Sequence, residues 1–502
     1  MRKRHLSLPF FTANNSKPPA GGFFIPKAYF CCMSKNRRKN QILENIQLVS
    51  AGAKGVAIGR TAEGKTVLVS GAVPGDRVNA RVKKAKSKYF EAETVEILER
   101  SPFRVEPKCI HFGVCGGCKW QNLSYEKQLD IKQDEVFNHI KRIGGLEDFE
   151  TLPILGSAEQ YFYRNKMEFS FSNARWLTQY EISSEENFGS RDALGFHIPG
   201  MWSKILDLKE CWLQEPPSND IRLAVRNFAA ANGLDFFDVK SQEGFLRTLM
   251  LRQNSMGEWM VLFQLFREEK ENREKLFEFL LKEFPQIKTL VYTINSKQND
   301  SIYDQEVITY FGDGFIMEEM DGLKFKIGPK SFFQTNYRQA LELYRKTLEF
   351  ADLQGHEVVY DLYTGTGTIA QYVARNAKHV IGIESVPEAI AAAKEHAELN
   401  GLSNCTFYCG DMKDIFNDEF LANHPPADVL ITDPPRDGMH QKVVEQILKL
   451  APQRIVYVSC NSATQARDLA LMKDQYRLVK ILPVDMFPQT HHVENIALLE
   501  RI

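Results

Sequence analysis

Three cysteines lie close together in the first quarter of the chain, in a segment that could surround a metal ion. Cys109, Cys115 and Cys118 have the spacing C-x5-C-x2-C, and glycines between them allow the backbone to bend tightly. Thiolates at this spacing are typical ligands of zinc or of an iron–sulfur cluster, and the spacing leaves both open. Either site needs a fourth ligand. Cys211 is the best candidate before the C-terminal third, and His111 is an alternative for zinc.

Near the C-terminus, a cysteine and a carboxylate each stand at the end of an apolar stretch. Cys460 directly follows a predicted strand over 454–459, and Glu494 comes just before another over 496–499. A cysteine at a strand end is more often a small core residue than a nucleophile. A thiolate with a nearby carboxylate can nevertheless combine nucleophilic addition with proton removal. Cys460 and Glu494 are therefore candidate catalytic residues.

Between these two groups of residues, successive predicted strands end in side chains suited to bind a nucleotide-like cofactor. Tyr363 opens a turn in which Gly365 and Gly367 let the backbone approach a ligand closely. Glu384 ends the next strand, where a carboxylate can accept hydrogen bonds from ribose hydroxyls, and Asp433 follows a later strand. The turn lacks the third glycine of the dinucleotide fingerprint, which argues against a nicotinamide enzyme. This series of strand ends is typical of an S-adenosylmethionine-dependent methyltransferase.

Positioning these residues together requires a sheet whose strands end at one edge. Past residue 330, short apolar runs alternate with helical stretches. The predicted strands cover 358–362, 380–384, 406–408, 429–432 and 454–459. Strands that alternate with helices in this way predict a parallel, doubly wound α/β sheet of the Rossmann-like kind.

The preceding part of the chain has a different pattern. Residues 44–99 contain short strands separated by turns, which predicts a small closed β-barrel of the oligonucleotide-binding sort. Cations between Arg77 and Lys88, followed by Tyr89 and Phe90, could contact phosphates and stack on a base, although an exposed charged hairpin would look the same. The predicted segments are a leader over 1–41, the barrel over 42–100, an α+β central domain with the cysteine loop over 101–330 and the methyltransferase domain over 331–502.

Composition excludes several classes of protein. The 63 Lys and Arg nearly cancel the 64 Asp and Glu, so any surface for nucleic acid must be a local patch. Nine cysteines in 502 residues are too few, and odd in number, for a disulfide scaffold. No apolar stretch is long enough to cross a membrane, and prolines and glycines interrupt every candidate signal peptide in the first 32 residues. We expect a cytoplasmic protein whose first residues are a disordered leader or an over-long gene start.

One reaction needs S-adenosylmethionine, a cysteine and a carboxylate together. The C5 carbon of uracil is too weak a nucleophile to attack a methyl sulfonium directly. Addition of a thiolate to C6 gives C5 carbanion character, and a base must then remove the C5 proton so that the cysteine can leave. A target inside folded RNA must also be flipped out of its stack.

Over residues 42–502 the sequence resembles the RNA uracil-C5 methyltransferases, most closely the branch that acts on 23S ribosomal RNA. The motifs that carry this resemblance are Phe333-Gln334-Thr335-Asn336, Asp361-Leu362-Tyr363 with Gly365 and Gly367, Asp433-Pro434-Pro435-Arg436, Ser459-Cys460-Asn461 and His492-Val493-Glu494.

The resemblance implies a role for each candidate residue. Cys460 would be the nucleophile and Glu494 the general base. The cofactor contacts would be Gln334, Tyr363, Glu384 and Asp433. The barrel would be a TRAM domain, and the ligands of a [4Fe–4S] cluster would be Cys109, Cys115, Cys118 and Cys211. The expected partner is 23S ribosomal RNA, modified by a monomer without an obligate protein partner.

Three alternatives remain open at the level of the sequence. The same chemistry could act on a transfer-RNA uridine. The Asp433-Pro434-Pro435 motif could belong to an amino-group methyltransferase, but such enzymes place an aromatic residue where Arg436 stands and need no cysteine. The chain could also be an inactive RNA-binding assembly factor, against which the intact Cys460 and Glu494 argue.

Overall fold

A computed structural model describes residues 40–52, 55–184 and 189–502. The predicted leader lies outside these residues except for its last two positions. Within the described ranges the chain forms a closed five-stranded barrel, a seven-stranded sheet, an eight-stranded sheet and a small two-stranded sheet. This arrangement confirms the predicted fold class, an α/β methyltransferase domain joined to a small N-terminal barrel. No helix in these ranges is long and apolar enough to cross a membrane.

The barrel forms from strands with strong alternation between buried and exposed residues. Its strands are β1 (Ile42–Ala51), β2 (Ala57–Arg60), β3 (Thr66–Ser70), β4 (Arg77–Ala85) and β5 (Tyr89–Glu99). They close in the order β1-β2-β3-β5-β4. Alternate side chains of β4, such as Val78, Ala80 and Val82, fill the interior because successive residues of a strand point to opposite faces.

The outward face of β4 differs from the sequence-based expectation. Lys83 and Glu93 are paired at 2.7 Å, Lys84 lies 3.3 Å from Glu91, and Arg77 and Arg81 also meet glutamates of β5. Phe90 is buried in the barrel core. The prediction that Phe90 is available to stack on a base is therefore wrong, because the strand alternation turns it inward.

The central sheet is bordered by helices on one face. Its strands are β7 (Lys166–Ser172), β8 (Ala193–Ile198), β9 (Met201–Asp207), β10 (Leu246–Gln253), β11 (Trp259–Leu265), β12 (Ile287–Ile294) and β13 (Ile308–Phe311). Helix α1 (Tyr125–Arg142) precedes this sheet in the chain, and the helices between its strands are α2 (Gln179–Ser183), α3 (Ser218–Ala231) and α4 (Lys270–Glu283). The strand order is β13-β12-β11-β10-β7-β8-β9. Apolar residues of α3 and α4 pack into the same core as β10 and β11. The seven strands thus form one layer and the helices α3 and α4 a second.

The C-terminal sheet has the order β18-β17-β16-β19-β20-β22-β21-β6. Its strands are β6 (Glu150–Thr151), β16 (Val358–Leu362), β17 (His379–Glu384), β18 (Cys405–Cys409), β19 (Val429–Thr432), β20 (Arg454–Ser459), β21 (Tyr476–Val484) and β22 (Glu494–Arg501). The small hairpin β14 (Ile316–Met320) and β15 (Leu323–Ile327) packs into one of its two cores. Strands β16 to β20 are parallel, whereas β22 is antiparallel to β20.

Helices cover both faces of this sheet, as the doubly wound pattern predicts. They are α5 (Tyr337–Ala351), α6 (Thr368–Ala374), α7 (Pro387–Leu399), α8 (Met412–Ile415), α9 (Asp418–Asn423), α10 (Gln441–Leu450) and α11 (Ser462–Met472). Alternate strand residues enter two separate cores, one shared with α5, α6 and α7 and the other with α10 and α11. Strand order reverses direction beside β16, where ligands of open α/β sheets bind.

Two elements from before residue 160 belong spatially to this C-terminal sheet. Val136 and Ile140 of α1 lie in the core shared with α10 and α11. Strand β6 pairs in parallel with β21 through Lys480 and Glu150. Both elements fall inside the segment predicted as the central domain, so the C-terminal layer draws on residues from outside 331–502. The predicted division into four segments stays a prediction.

Candidate active site

Cys460 and Glu494 face each other across two neighbouring antiparallel strands. Cys460 is the first residue after β20, and Glu494 is the first residue of β22. Ser459 pairs with Asn495 in the ladder between these strands, so the next position along each strand brings the two candidate residues opposite one another. Both lie at the carboxyl edge of the parallel strands. The structure thus brings together a thiol and a carboxyl group that are 34 residues apart in the sequence.

Asp433 and Tyr363 lie at the same edge. They directly follow β19 and β16, and the last residues of these strands, Thr432 and Leu362, are paired. Tyr363 has a φ of 62°, a left-handed conformation that is costly for a residue with a side chain. This strained residue turns the chain sharply out of the sheet at the point where the glycine-containing turn begins.

The turn that follows is arranged as a ligand-binding edge. Gly365 and Gly367 both have positive φ values, and a Cβ added at Gly365 would meet no atom within 4 Å. Glu384 ends β17 beside this turn, and its carboxylate accepts hydrogen bonds from the backbone N–H groups of Gly365 (3.2 Å) and Ser385 (2.6 Å). The open space above Gly365 and the fixed carboxylate fit a nucleoside cofactor.

Gln334 lies in the segment that precedes α5. Its backbone carbonyl accepts a hydrogen bond from the Asn165 side chain at 3.1 Å, and the neighbouring Thr335 carbonyl accepts one from the Asn165 N–H at 2.7 Å. Asn336 caps α5 by accepting from the Gln339 N–H and donates to the Met486 carbonyl at 3.0 Å. Hydrogen bonds from Asn165 and to Met486 therefore hold the backbone of this motif in place.

Burial raises the pKa of the acidic groups at this edge. The pKa of Glu494 rises to about 8, mainly through burial and then through the negative charge of Asp433. Burial raises the pKa of Asp433 to about 7, and it also raises that of Asp361 to about 7. In the described ranges neither Glu494 nor Asp433 accepts a hydrogen bond or pairs with a cation. Carboxyl groups in such surroundings without partners are costly, which makes Glu494 and Asp433 candidate functional groups.

The same buried and acidic surroundings also change the pKa of the Cys460 thiol. Burial raises its pKa to about 11, and the nearby Glu494 and Asp433 contribute in the same direction. The Arg436 guanidinium acts in the opposite sense and favours the thiolate. Arg436 belongs to the motif that follows β19, and its carbonyl accepts a hydrogen bond from the Asn461 side chain at 2.9 Å. The two segments that carry Asp433 and Cys460 are thus tied together.

The loop before Glu494, residues 485–493, is anchored by helix α1. Lys132 and Asp485 form an ion pair at 2.6 Å in which both side chains are fully buried. Lys132 also donates to the Phe487 carbonyl at 3.2 Å, and the Tyr125 hydroxyl donates to Asp485 at 2.9 Å. The sequence patterns do not single out these residues. A lysine on the apolar face of a predicted helix was the available clue.

The same loop is also anchored by the segment that follows the cysteines. The backbone N–H groups of Lys119 and Trp120 donate to the Gln489 carbonyl at 2.8 and 3.1 Å. The side chains of Gln128 and Gln489 are bonded at 3.0 Å, and Gln489 has a φ of 66°. The Tyr163 hydroxyl donates to the Pro488 carbonyl. Contacts from three distant segments therefore fix the approach to Glu494.

The cysteine loop, residues 109–118, lies against the central sheet and encloses a small cavity. All four predicted ligands line this cavity, including Cys211, which is separated from the others by more than 90 residues. Burial raises the pKa of Cys118 to about 11 and that of Cys211 to about 12. In the described part of the chain, no group of three His, Cys, Asp or Glu side chains is arranged so as to hold a metal ion. The structure thus gathers the four cysteines without showing a metal site.

Comparison with known protein families matches two regions of the chain. Residues 297–502 match the tRNA (uracil-5-)-methyltransferase family, and residues 49–95 match the TRAM domain. The second match falls on the closed barrel and the first on the C-terminal sheet with the residues described above.

Similar proteins extend over nearly the whole chain. A Bacteroides thetaiotaomicron protein named an uncharacterized RNA methyltransferase is 52% identical over 451 residues, which cover 89% of this chain and 99% of that protein. A Porphyromonas gingivalis protein of the same name is 52% identical and covers 91% of this chain and 99% of its own length.

A solved structure has the same architecture. The Pyrococcus abyssi tRNA (uracil-54, C5)-methyltransferase, determined in complex with S-adenosyl-L-homocysteine, superposes with a TM-score of 0.70 at 28% identity. The match covers 90% of this chain and all of that one.

Proposed function

This chain belongs to the S-adenosylmethionine-dependent RNA (uracil-5-)-methyltransferase family, and we propose that it methylates the C5 carbon of one uridine in 23S ribosomal RNA. The observation that carries the proposal is the pairing of Ser459 with Asn495, which sets Cys460 opposite Glu494 at the cofactor edge. The protein would work in the cytoplasm as a monomer.

In this proposal, Cys460 and Glu494 act at opposite ends of the reaction. The Cys460 thiolate adds to C6 of the uracil, which places carbanion character on C5. S-adenosylmethionine, when bound, supplies an electrophilic methyl group for that carbon. Glu494 then takes the C5 proton, and the electrons of the broken C–H bond restore the C5–C6 double bond as the sulfur leaves. Arg436 favours the thiolate that begins the sequence.

The cofactor would be held by four residues around the glycine-containing turn. Glu384 would bind the ribose hydroxyls, and Gln334 would bind through its free amide. Tyr363 would form one wall of the pocket. Asp433 would lie near the positively charged sulfonium, which fits its position as a nearly buried carboxyl group without a cation.

We infer that the four cysteines hold a [4Fe–4S] cluster. Their shared cavity supports this ligand set. A zinc ion would need four sulfur atoms about 2.3 Å from one point. Four thiolates are the usual ligands of a four-iron cluster, and the four cysteines that line one cavity could supply them. The cluster would have a structural role, because the proposed reaction transfers no electron.

Transfer RNA is the second candidate substrate. The Pyrococcus abyssi structure is named for a tRNA uridine and matches 90% of this chain. The proposal of ribosomal RNA as the substrate is supported by the resemblance of the motifs. The alternative of transfer RNA is supported by the overall superposition.

A methylation assay tests the proposal. The full chain is incubated with methyl-labelled S-adenosylmethionine and unmodified transcripts of 23S ribosomal RNA and transfer RNAs, and nucleosides are separated after digestion. We expect label in 5-methyluridine from the 23S transcript and none with Cys460→Ala. If only transfer RNA is labelled, the ribosomal target is overturned, whereas the proposed methylation of C5 is supported. No labelled 5-methyluridine from any RNA would overturn the proposed function.

A further inference from the structure

A large groove runs beside the candidate active site. It has a volume of about 990 Å³ and lies between the cysteine loop, strand β7 and the hairpin formed by β8 and β9. Thr335 and Thr490 are among the residues that line it. Thr335 follows the proposed cofactor residue Gln334, and Thr490 lies in the loop that leads to Glu494. The groove is therefore continuous with the loops of the catalytic edge.

The groove carries positive charge that the protein itself does not neutralise. Lys119 and Arg164 line it, and in the described ranges neither forms an ion pair with an acidic side chain. The Nε of Arg164 is buried without a hydrogen-bond partner. Lys166 is the third cation and is paired with Glu168 at 2.6 Å. Two cations without counter-charges in one groove favour an anionic ligand.

An exposed tryptophan also lines the groove. Trp202 lies at the start of β9 with 64% of its surface exposed, although tryptophan side chains are normally largely buried. The turn before it, Pro199-Gly200, is a two-residue connection in which Gly200 has a φ of 79°. A Cβ added at Gly116 would lie 3.1 Å from the Pro199 ring, so this turn rests against the cysteine loop. The Trp202 ring thus lies on a hairpin that packs against the cysteine loop.

We propose that this groove binds the unpaired nucleotides of the substrate RNA that adjoin the target uridine. Trp202 stacks on one base, and Lys119 and Arg164 bind the phosphates that follow it. The inference rests on the proposed function for its substrate. Sites for single-stranded nucleic acid combine cations that bind phosphates with aromatic rings on which bases stack. Flipping a uridine out of its stack leaves the neighbouring nucleotides unpaired.

Removing the ring tests the stacking contact. Trp202→Ala is expected to weaken RNA binding by about 5- to 140-fold, the range for loss of one stacked base. Trp202→Phe should keep most of the affinity. The matched control is Phe311→Ala, because Phe311 is an exposed aromatic residue (45%) on β13, at the opposite edge of the same sheet from β9.

Binding is measured by filter retention with labelled target RNA and no cofactor, so the assay does not depend on methyl transfer. The affinity for S-adenosylmethionine should stay unchanged in Trp202→Ala. If Trp202→Ala binds RNA as tightly as Phe311→Ala does, the inference is overturned. The two proposals can fail separately. If the wild-type enzyme methylates no uridine but its RNA binding still depends on Trp202, the proposed function is overturned and the RNA-binding groove is supported.

The charge contact has its own measurement. Lys119→Gln should lower the slope of log affinity against log salt by about one, the value for one lost phosphate contact. Lys282→Gln, an exposed lysine at the end of α4 outside the groove, should leave the slope unchanged. Equal slopes for the two variants would overturn the assignment of Lys119 to a phosphate.

Discussion

At the scale of single residues, the two groups proposed to do the chemistry can be separated in time. Glu494→Gln keeps the size of the side chain and removes its basicity. Cys460 should still add to the uracil and the methyl group should still be transferred, but elimination should stop. We expect a slowly migrating protein–RNA adduct on a denaturing gel. It should be absent from the double variant with Cys460→Ala. Normal turnover by Glu494→Gln would show that the base is another residue.

The pKa values at the catalytic edge predict how cofactor binding depends on pH. Asp433 and Glu494 have pKa values raised to about 7 and about 8, so they lose their protons and become negative as the pH rises through that range. Negative charge attracts the sulfonium of S-adenosylmethionine but not the neutral thioether of S-adenosylhomocysteine. The ratio of their affinities should therefore increase by about tenfold or more between pH 6 and pH 9.

Titration calorimetry with both ligands at several pH values measures this ratio. The ligands share their remaining charges, so effects elsewhere cancel. Asp433→Asn should flatten the dependence by removing one of the two titrating groups. A ratio that does not change with pH in the wild type would contradict the assignment of these carboxyl groups to the sulfonium.

Residue types predicted some positions and missed others for physical reasons. Cys211 is predicted as the fourth ligand because it is the best remaining cysteine ahead of the C-terminal sheet, and it lines the cavity with the other three. The run of cations before Phe90 predicts an exposed ring that could stack on a base. The alternation of β5 determines its burial instead, because a residue that faces the interior of a closed barrel is buried whatever charges precede it.

At the scale of elements, the buried ion pair between α1 and the 485–493 loop makes a sharp prediction. Lys132→Met leaves Asp485 charged and fully buried without its cation. Loss of one partner of such a pair costs about 3–5 kcal/mol of the free energy of unfolding. We also expect slower methyl transfer, because this loop leads directly to Glu494. Urea unfolding followed by circular dichroism measures the stability.

The matched control lies on the same helix. Lys127 forms a more exposed ion pair with Asp130 at 3.2 Å. Lys127→Met should cost less than about 1 kcal/mol, because water replaces the contact. Similar losses for Lys127→Met and Lys132→Met would mean that the buried pair does not hold the loop.

Element boundaries in the C-terminal sheet could be predicted well because each strand is a short apolar run with an obvious end. The predicted strands 358–362, 429–432 and 454–459 have the observed bounds. Strand β6 could not be predicted, because two residues carry no pattern and their partner in β21 lies about 330 residues away. The packing of α1 on the same sheet could not be predicted either, because the apolar face of a helix does not determine which sheet it packs against.

At the scale of the whole molecule, the cysteine loop and the residues just after it form a junction of all three layers. Trp120 is almost fully buried and its indole N–H donates to the Gly55 carbonyl in the barrel. Lys119 and Trp120 bond to the loop before Glu494, and Gly116 rests against the β8–β9 hairpin. A cluster at this point would stabilise the barrel, the central sheet and the catalytic edge together.

The cluster can be tested by its colour. Protein purified without oxygen should be brown, with a broad absorption shoulder in the visible range, and Cys115→Ala should be colourless and less stable. Cys409→Ala should stay brown, because Cys409 is exposed at the end of β18 and lines no part of the cysteine cavity. A colourless wild-type protein that contains one equivalent of zinc would contradict the iron–sulfur assignment.

The pairing of β6 with β21 limits how this protein can be dissected. A fragment that begins at residue 331 lacks both β6 and helix α1, so it exposes the unpaired edge of β21 and the apolar surface that Val136 and Ile140 cover. Bare strand edges and apolar faces promote self-association. Gene fragments designed from the family boundary at residue 297 would share this defect. Expression of the catalytic half therefore needs the chain from residue 125 onward, with the central sheet carried along as an insertion.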